Sequence, residues 1–296
     1  MKHTIFTGAG VAIVTPFNAD GSVNYDALGN LIEFQIENDT DAIIICGTTG
    51  EASTLTDDEQ VDVIKFAVDK VAKRVPVVAG AGSNDTAHGI KLCKRCEQVG
   101  ADGLLMVTPY YNKTTQKGLV KYYTDIASSV DLPIIMYSVA GRTGLNIAPA
   151  TVEELSKVEN IVAVKEASGN LSQVADIAAR CGDRIDIYSG NDDQVLPVLS
   201  LGGKGVISVL SNVVPKYTHD MVWSFVNGDV AKATKMQLDC IDLIHSLFCE
   251  VNPIPVKEAL NMMGLNAGGY RAPLVEMEEA NRSKLENSMR AFGLIK

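Results

Sequence analysis

The chain has 296 residues, 46% of them hydrophobic and 21% charged, with a formal net charge of −10. That length suffices for one large core, and the acidic balance argues against nucleic acid or an anionic membrane as a partner. No apolar run approaches the roughly 20 residues of a membrane span. Met1–Gly8 makes a poor signal peptide, and the six scattered cysteines fit reduced thiols better than a disulfide framework, so a cytoplasmic protein is expected.

Taken in order, Gly10–Val14 reads as a first buried strand closed by Thr15-Pro16, and an amphipathic helix follows over Tyr25–Glu37. Ala42–Cys46 is a second apolar strand that runs into Gly47-Thr48-Thr49-Gly50-Glu51. Further strand-like runs stand at Val75–Ala79, Gly103–Val107, Pro133–Tyr137, Ile161–Lys165, Ile185–Tyr188 and Gly205–Val209, with helix-like stretches between them. Cys93 and Cys96 form a CxxC inside one such stretch, with no second CxxC or histidine pair to make a metal site. Eight near-continuous apolar strands alternating with helices predict a closed (β/α)8 TIM barrel. A doubly wound sheet would want a glycine-rich phosphate turn after the first strand, where Thr15-Pro16-Phe17-Asn18 stands instead. Beyond Pro215 the pattern is helical only, near 216–225, 229–249, 255–263 and 276–292. The expected organisation is a catalytic barrel over residues 1–226 and a small all-helical C-terminal appendage over 227–296.

In such barrels the chemistry collects at the carboxyl ends of the strands. Lys165 ends the apolar run Ile161-Val162-Ala163-Val164. Burial there disfavours its ammonium form, which suits a nucleophilic amine in Schiff-base chemistry. The plain alternative is an ion pair with Glu166 at a wet strand end. Tyr137 ends the adjacent strand and is placed to carry protons for a neutral amine. Arg142 sits among glycines in Gly141-Arg142-Thr143-Gly144, where packing gives it little reason to be and anion binding does. Gly47-Thr48-Thr49-Gly50 reads equally as a helix-entry turn, and Tyr110-Tyr111 as interface packing. Asn191, Asp192 and Asp193 read as helix caps before ligands. Gly202-Gly203-Lys204-Gly205 resembles a phosphate loop but precedes the eighth strand, at the wrong end of the barrel. The four histidines are dispersed, which disfavours a metal-dependent aldolase and leaves lysine chemistry.

Gly47-Thr48-Thr49-Gly50-Glu51, Tyr110-Tyr111-Asn112, Gly141-Arg142-Thr143-Gly144, Val164-Lys165-Glu166-Ala167 and Asn252-Pro253-Ile254-Pro255-Val256-Lys257 give the whole chain a likeness to a known group. It resembles the dihydrodipicolinate synthase family, a branch of the pyruvate-dependent class I aldolases that include N-acetylneuraminate lyase. The resemblance implies a lyase that condenses pyruvate with L-aspartate 4-semialdehyde in lysine and diaminopimelate biosynthesis. Lys165 would form an imine with pyruvate, and no other cofactor or metal would be needed. Tyr137, Thr48 and Tyr111 would make a proton relay, Tyr111 coming from a neighbouring subunit of a homotetramer built as a dimer of dimers. Thr49 would hold the pyruvate carboxylate and Arg142 that of the semialdehyde, while Gly190 and Ile207 would line the site through backbone groups. The alternative enzyme is an N-acetylneuraminate or 2-keto-3-deoxy-sugar aldolase on the same lysine, and the alternative outside catalysis is a binding or regulatory barrel.

Two departures from the family pattern carry expectations. Ser138 and Ala140 replace the usual asparagine and proline, so the loop that aims Arg142 is expected to be looser. Many relatives are inhibited by lysine in a pocket that maps near Ser53, Asp57, Gln60, Asn84, His88 and Tyr110. Here His88 stands where regulated enzymes carry a glutamate. Asp57 could compensate only if it points inward, and its place in Thr56-Asp57-Asp58-Glu59 suggests a helix start instead. Weak or absent lysine inhibition is expected.

Overall fold

A computed structural model describes residues 3–296; Met1 and Lys2, within the stretch read as a poor signal peptide, lie outside the described residues. The strands are β1 (Gly8–Ala12), β2 (Ala42–Ile45), β3 (Val77–Gly80), β4 (Gly103–Val107), β5 (Ile134–Ser138), β6 (Ile161–Glu166), β7 (Asp186–Ser189) and β8 (Gly205–Ser208). They form one closed parallel barrel in sequence order, β8 pairing back onto β1. Their residues are buried almost throughout, as unbroken β-branched runs require. Among the described residues no helix is long and apolar enough to cross a membrane.

Alternation along the strands divides the apolar side chains into two shells. Ile43, Ile45, Leu104, Met106, Ile134, Met136 and Val164 pack outward against the helices. Ile44, Val78, Leu105, Ile135, Tyr137, Tyr188 and Ile207 fill the lumen. An irregularity interrupts this alternation in β6. Ile134 pairs with Ile161 but Ile135 pairs with Ala163, so Val162 is the extra residue of a bulge. Val162 and Ala163 both join the inner cluster. Past the bulge, alternation resumes with Val164 outward and Lys165 on the lumen side, level with Tyr137 on β5 and Tyr188 on β7.

The first strand begins two residues earlier than the apolar run suggests, at Gly8 rather than Gly10. The reason is the seam. Gly8 and Gly205 face each other across the β1–β8 closure, and a Cβ on Gly205 would come within 1.8 Å of the Gly8 carbonyl oxygen. Backbone approach that only glycine permits extends pairing toward the N-terminus. Ile13 and Val14 stay buried beyond the strand, their N–H groups donating to Ile44 O and Asn212 Oδ1.

After β8 come helices Pro215–Val226, Val230–Asp239, Ile241–Leu247, Ile254–Met262 and Glu279–Phe292. The helix expected near 229–249 is two, broken at Cys240. This C-terminal segment reaches back into the barrel mouth. Lys257, with no exposed surface, donates to Glu51 Oε1 at 2.7 Å and to Thr15 O at 3.0 Å. Its Nζ also lies 4.5 Å from the Phe17 ring centroid. Burial pulls the Lys257 amine below its ordinary pKa while Glu51 opposes that shift. Arg271 donates its backbone N–H to Glu51 Oε2, stacks on Phe17, and forks onto Glu59.

Removing one member of a buried pair strands the other charge, at about 3–5 kcal/mol. Lys257→Met is therefore expected to lower the thermal unfolding midpoint by several degrees, and adding Glu51→Gln to restore much of the loss. A melt followed by circular dichroism checks both, and an unchanged midpoint in the single variant would refute the dependence.

Candidate active site

The carboxyl ends of the strands open into a cavity of about 860 Å³. Its wall includes Thr48 beyond β2, Gly80–Ser83 at β3, Tyr110, Tyr111 and Lys113 beyond β4, Tyr137 on β5, and residues 139–144. Lys165 lies at the lumen end, 6% exposed, with Nζ 4.3 Å from the centroid of the Tyr137 ring. Glu166 does not pair with it. That carboxylate faces the other way, accepting from Ser168 N at 2.6 Å and from Gln173 Nε2 at 2.8 Å. The wet ion pair weighed from sequence is thus replaced by an amine against a phenol ring.

Gly190 follows β7 and makes room for this amine. A Cβ there would stand 3.1 Å from Lys165 Cε and 2.6 Å from Ala167 Cβ. Its N–H donates to Glu166 O at 2.7 Å, which locks the β6 and β7 ends together. Ile207 is buried in the lumen cluster on β8. Asp192 is also buried; its carboxylate accepts from Ser208 Oγ, Val209 N and Leu210 N, the last two opening the short turn after β8. Burial pushes its pKa up, against those three donors and Lys165. It caps, as expected, but the turn it caps belongs to the next strand.

Thr48 and Thr49 diverge within one turn. Thr48 is exposed on the cavity wall, whereas Thr49 is 3% exposed and its Oγ1 accepts from Asn252 Nδ2 at 2.9 Å. Tyr111 sits on the cavity rim with 93% of its surface exposed and a left-handed φ of 60°. Tyr110 holds that rim, its N–H and C=O both bonded to the Asn84 amide. A non-glycine residue in left-handed backbone, presenting a phenol to solvent, is not accounted for by packing within the protomer.

Arg142 stands exposed on the same wall, with no carboxylate paired to it among the described residues. Residues 140–143 are one helical turn closed by Gly144, whose N–H donates to Ala140 O. Ser138 is buried; its Oγ accepts from Ile147 N and donates to Asn146 Oδ1. Thr143 Oγ1 bonds to both sides of Leu145. In the loop expected to be looser for Ser138 and Ala140, the Ser138 hydroxyl makes two hydrogen bonds and Ala140 begins the helical turn.

At the far end of the cavity His88 Nδ1 lies 2.8 Å from Ser83 Oγ, and His88 Nε2 lies 2.7 Å from Asp57 Oδ2. Asp57 does open the helix Asp57–Val71, as expected, but its side chain also reaches the cavity, which the helix-start reading had excluded. Cys93 and Cys96 are buried, and burial pushes both thiols up to about 12. Sequence reasoning had assigned no role to Asn252, Lys113 or Ser83.

Residues 5–292 match the Dihydrodipicolinate synthetase family. The 4-hydroxy-tetrahydrodipicolinate synthase of Caldicellulosiruptor saccharolyticus is 58% identical over 98% of each chain. The crystal structure of dihydrodipicolinate synthase from Aquifex aeolicus superposes with a TM-score of 0.95 at 44% identity, over 98% of this chain and 99% of that one. The Acinetobacter baumannii dihydrodipicolinate synthase complexed with pyruvate reaches a TM-score of 0.96 at 41% identity, over 99% of this chain and all of that one.

Gly190→Ala tests how the amine is seated. The added methyl must displace Lys165 Cε or the Ala167 backbone, an overpacking cost of about 1–3 kcal/mol. A displacement near 1 Å at the reacting group reduces turnover by about 100-fold. The variant is expected to fold and to lose turnover on that scale. Full activity in a steady-state assay would show that the glycine has no such function.

Proposed function

The chain belongs to the dihydrodipicolinate synthetase family, and on that premise we infer how its site works. It is a lyase of lysine and diaminopimelate biosynthesis, a 4-hydroxy-tetrahydrodipicolinate synthase in activity. On this reading it condenses pyruvate with L-aspartate 4-semialdehyde. The observation that carries the chemistry is the Lys165 amine, enclosed at the lumen end, facing the Tyr137 ring and free of any carboxylate partner among the described residues.

The amine adds to the keto carbon of pyruvate, and loss of water gives an imine. Protonated, that imine takes up the electron pair released when a methyl proton leaves, forming an enamine, so no further cofactor is required. The enamine carbon attacks the aldehyde, whose oxygen takes a proton. The amino group of the second substrate then attacks the imine carbon, closes the ring and expels Lys165. Tyr137, whose ring faces the amine, carries the proton; Thr48 and Tyr111 complete the relay with it. Thr49 holds the pyruvate carboxylate. Arg142 offers a paired donor fork to the carboxylate of the semialdehyde at the cavity wall. The exposed, left-handed Tyr111 supports its delivery to a second copy of the chain, in a homotetramer arranged as a dimer of dimers.

Borohydride added with pyruvate is expected to leave a reduced adduct on Lys165, located by peptide mass mapping. Arg142→Ala should retain that adduct yet lose about 100-fold in kcat/KM for the semialdehyde, the scale of a lost charge-assisted pair. Labelling at another lysine with Lys165 untouched would sink the assignment.

The far end of the cavity bears on regulation. Among the described residues, the carboxylate that lines this end, Asp57, is engaged by His88. A lysine ammonium entering must displace His88 from that carboxylate or stand beside an imidazole that carries no negative charge. We therefore propose weak or absent inhibition by lysine. Titrating lysine into the assay at saturating pyruvate should leave the rate nearly flat, and cooperative inhibition below about 1 mM, an affinity near 4 kcal/mol, would contradict this.

A further inference from the structure

We propose that Asn252 is a positioning residue for pyruvate, acting through the Thr49 hydroxyl. The inference rests on the reading that Thr49 holds the substrate carboxylate. Asn252 lies 203 residues from Thr49 in the chain, just before the helix Ile254–Met262, yet its Nδ2 donates to Thr49 Oγ1 at 2.9 Å. Both side chains are buried, at 5% and 3% exposure. Asn252 Oδ1 is buried without a partner, so this contact is the amide's one hydrogen bond among the described residues.

A threonine hydroxyl has one proton and two lone pairs. Asn252 occupies a lone pair, and no protein acceptor among the described residues takes the proton. The Thr49 hydroxyl is thereby left as a donor with its acceptor side engaged, the polarity that a carboxylate ligand needs. Neighbouring contacts hold the turn still while this happens. Thr15 Oγ1 donates to Gly50 O at 2.7 Å, and Lys257 and Arg271 fix the Glu51 carboxylate on the other side. Glu51 has a left-handed φ of 53° and so depends on these contacts to stay in place. The segment after the barrel therefore supports the carboxylate end of the site through three side chains, Asn252, Lys257 and Arg271, of which Asn252 alone bonds to a residue assigned to substrate.

The bond's direction makes the idea testable apart from folding. Asn252→Asp keeps the shape but reverses the polarity: a carboxylate accepts the Thr49 proton and adds negative charge beside an anionic substrate. Asn252→Ala removes the bond alone. Steady-state kinetics should show KM for pyruvate raised about tenfold in Asn252→Ala, and further in Asn252→Asp. In both, kcat and KM for the semialdehyde should stay within about twofold. A merely structural asparagine predicts instead a lower melting midpoint with kcat and both KM values degraded together, the buried aspartate charge being costly in either case. Such a parallel loss, or an unchanged KM for pyruvate in Asn252→Ala, overturns the proposal. Thr49→Val separates the layers. If it raises KM for pyruvate while the Asn252 variants do not, the positioning role falls and the carboxylate reading stands. If Thr49→Val leaves KM for pyruvate unchanged, the carboxylate reading falls and the proposal with it.

Discussion

A lysine ammonium with no exposed surface, 2.7 Å from a carboxylate almost as enclosed, holds the mouth of this barrel together. Two such charges in a low-dielectric interior are tolerable only with good geometry and further hydrogen bonds. Both conditions are met: Lys257 also reaches the Thr15 carbonyl, and Glu51 also receives the Arg271 N–H. Because Glu51 closes the turn that begins at Gly47, the pair fixes where Thr48 and Thr49 stand. The C-terminal helices are in this sense part of the wall of the site.

A second constraint sets the nucleophile. Without the bulge at Val162, strict alternation from Ile161 outward would place Ala163 and Lys165 on the outer face and Val164 in the lumen. One additional residue exchanges those faces and brings the amine level with Tyr137. Glycine at 190 then leaves the space that the side chain occupies. Both features decide where the reacting atom is.

Much of this was legible in the chain. Eight apolar runs of strand length gave the barrel, and the placement of Lys165, Tyr137 and Arg142 at strand ends followed from where those runs stop. Other parts were not. The seam at Gly8 and Gly205 depends on backbone approach, which leaves no trace in hydrophobic periodicity. The bulge cannot be seen in Ile161-Val162-Ala163-Val164, since every residue is apolar whichever face it takes. The contacts that Ser138 makes beside the Arg142 turn depend on Asn146 and Ile147, partners that a single substitution read alone does not reveal. Asp57 read as a helix start because its local signal is strong; its contact with His88 spans 31 residues and has no local signal. Thr48, Thr49 and Tyr111 took their roles from family likeness, since threonines and tyrosines in loops are too common to point to chemistry by themselves.

The origin of the site's supports also bears on how the protein comes into being. Lys165 and Tyr137 are complete once little more than half the chain has been synthesised. Closure at Gly8 and Gly205 is a long-range contact of the kind that slows folding, and it must wait for β8. Asn252, Lys257 and Arg271 emerge later still, several seconds after β8 at ordinary translation speeds of roughly 5–20 residues per second. A nascent or prematurely ended chain thus carries the nucleophile without the groups that brace the turn beside it. Completion of the polypeptide, rather than appearance of the reactive amine, is the event that matures the enzyme.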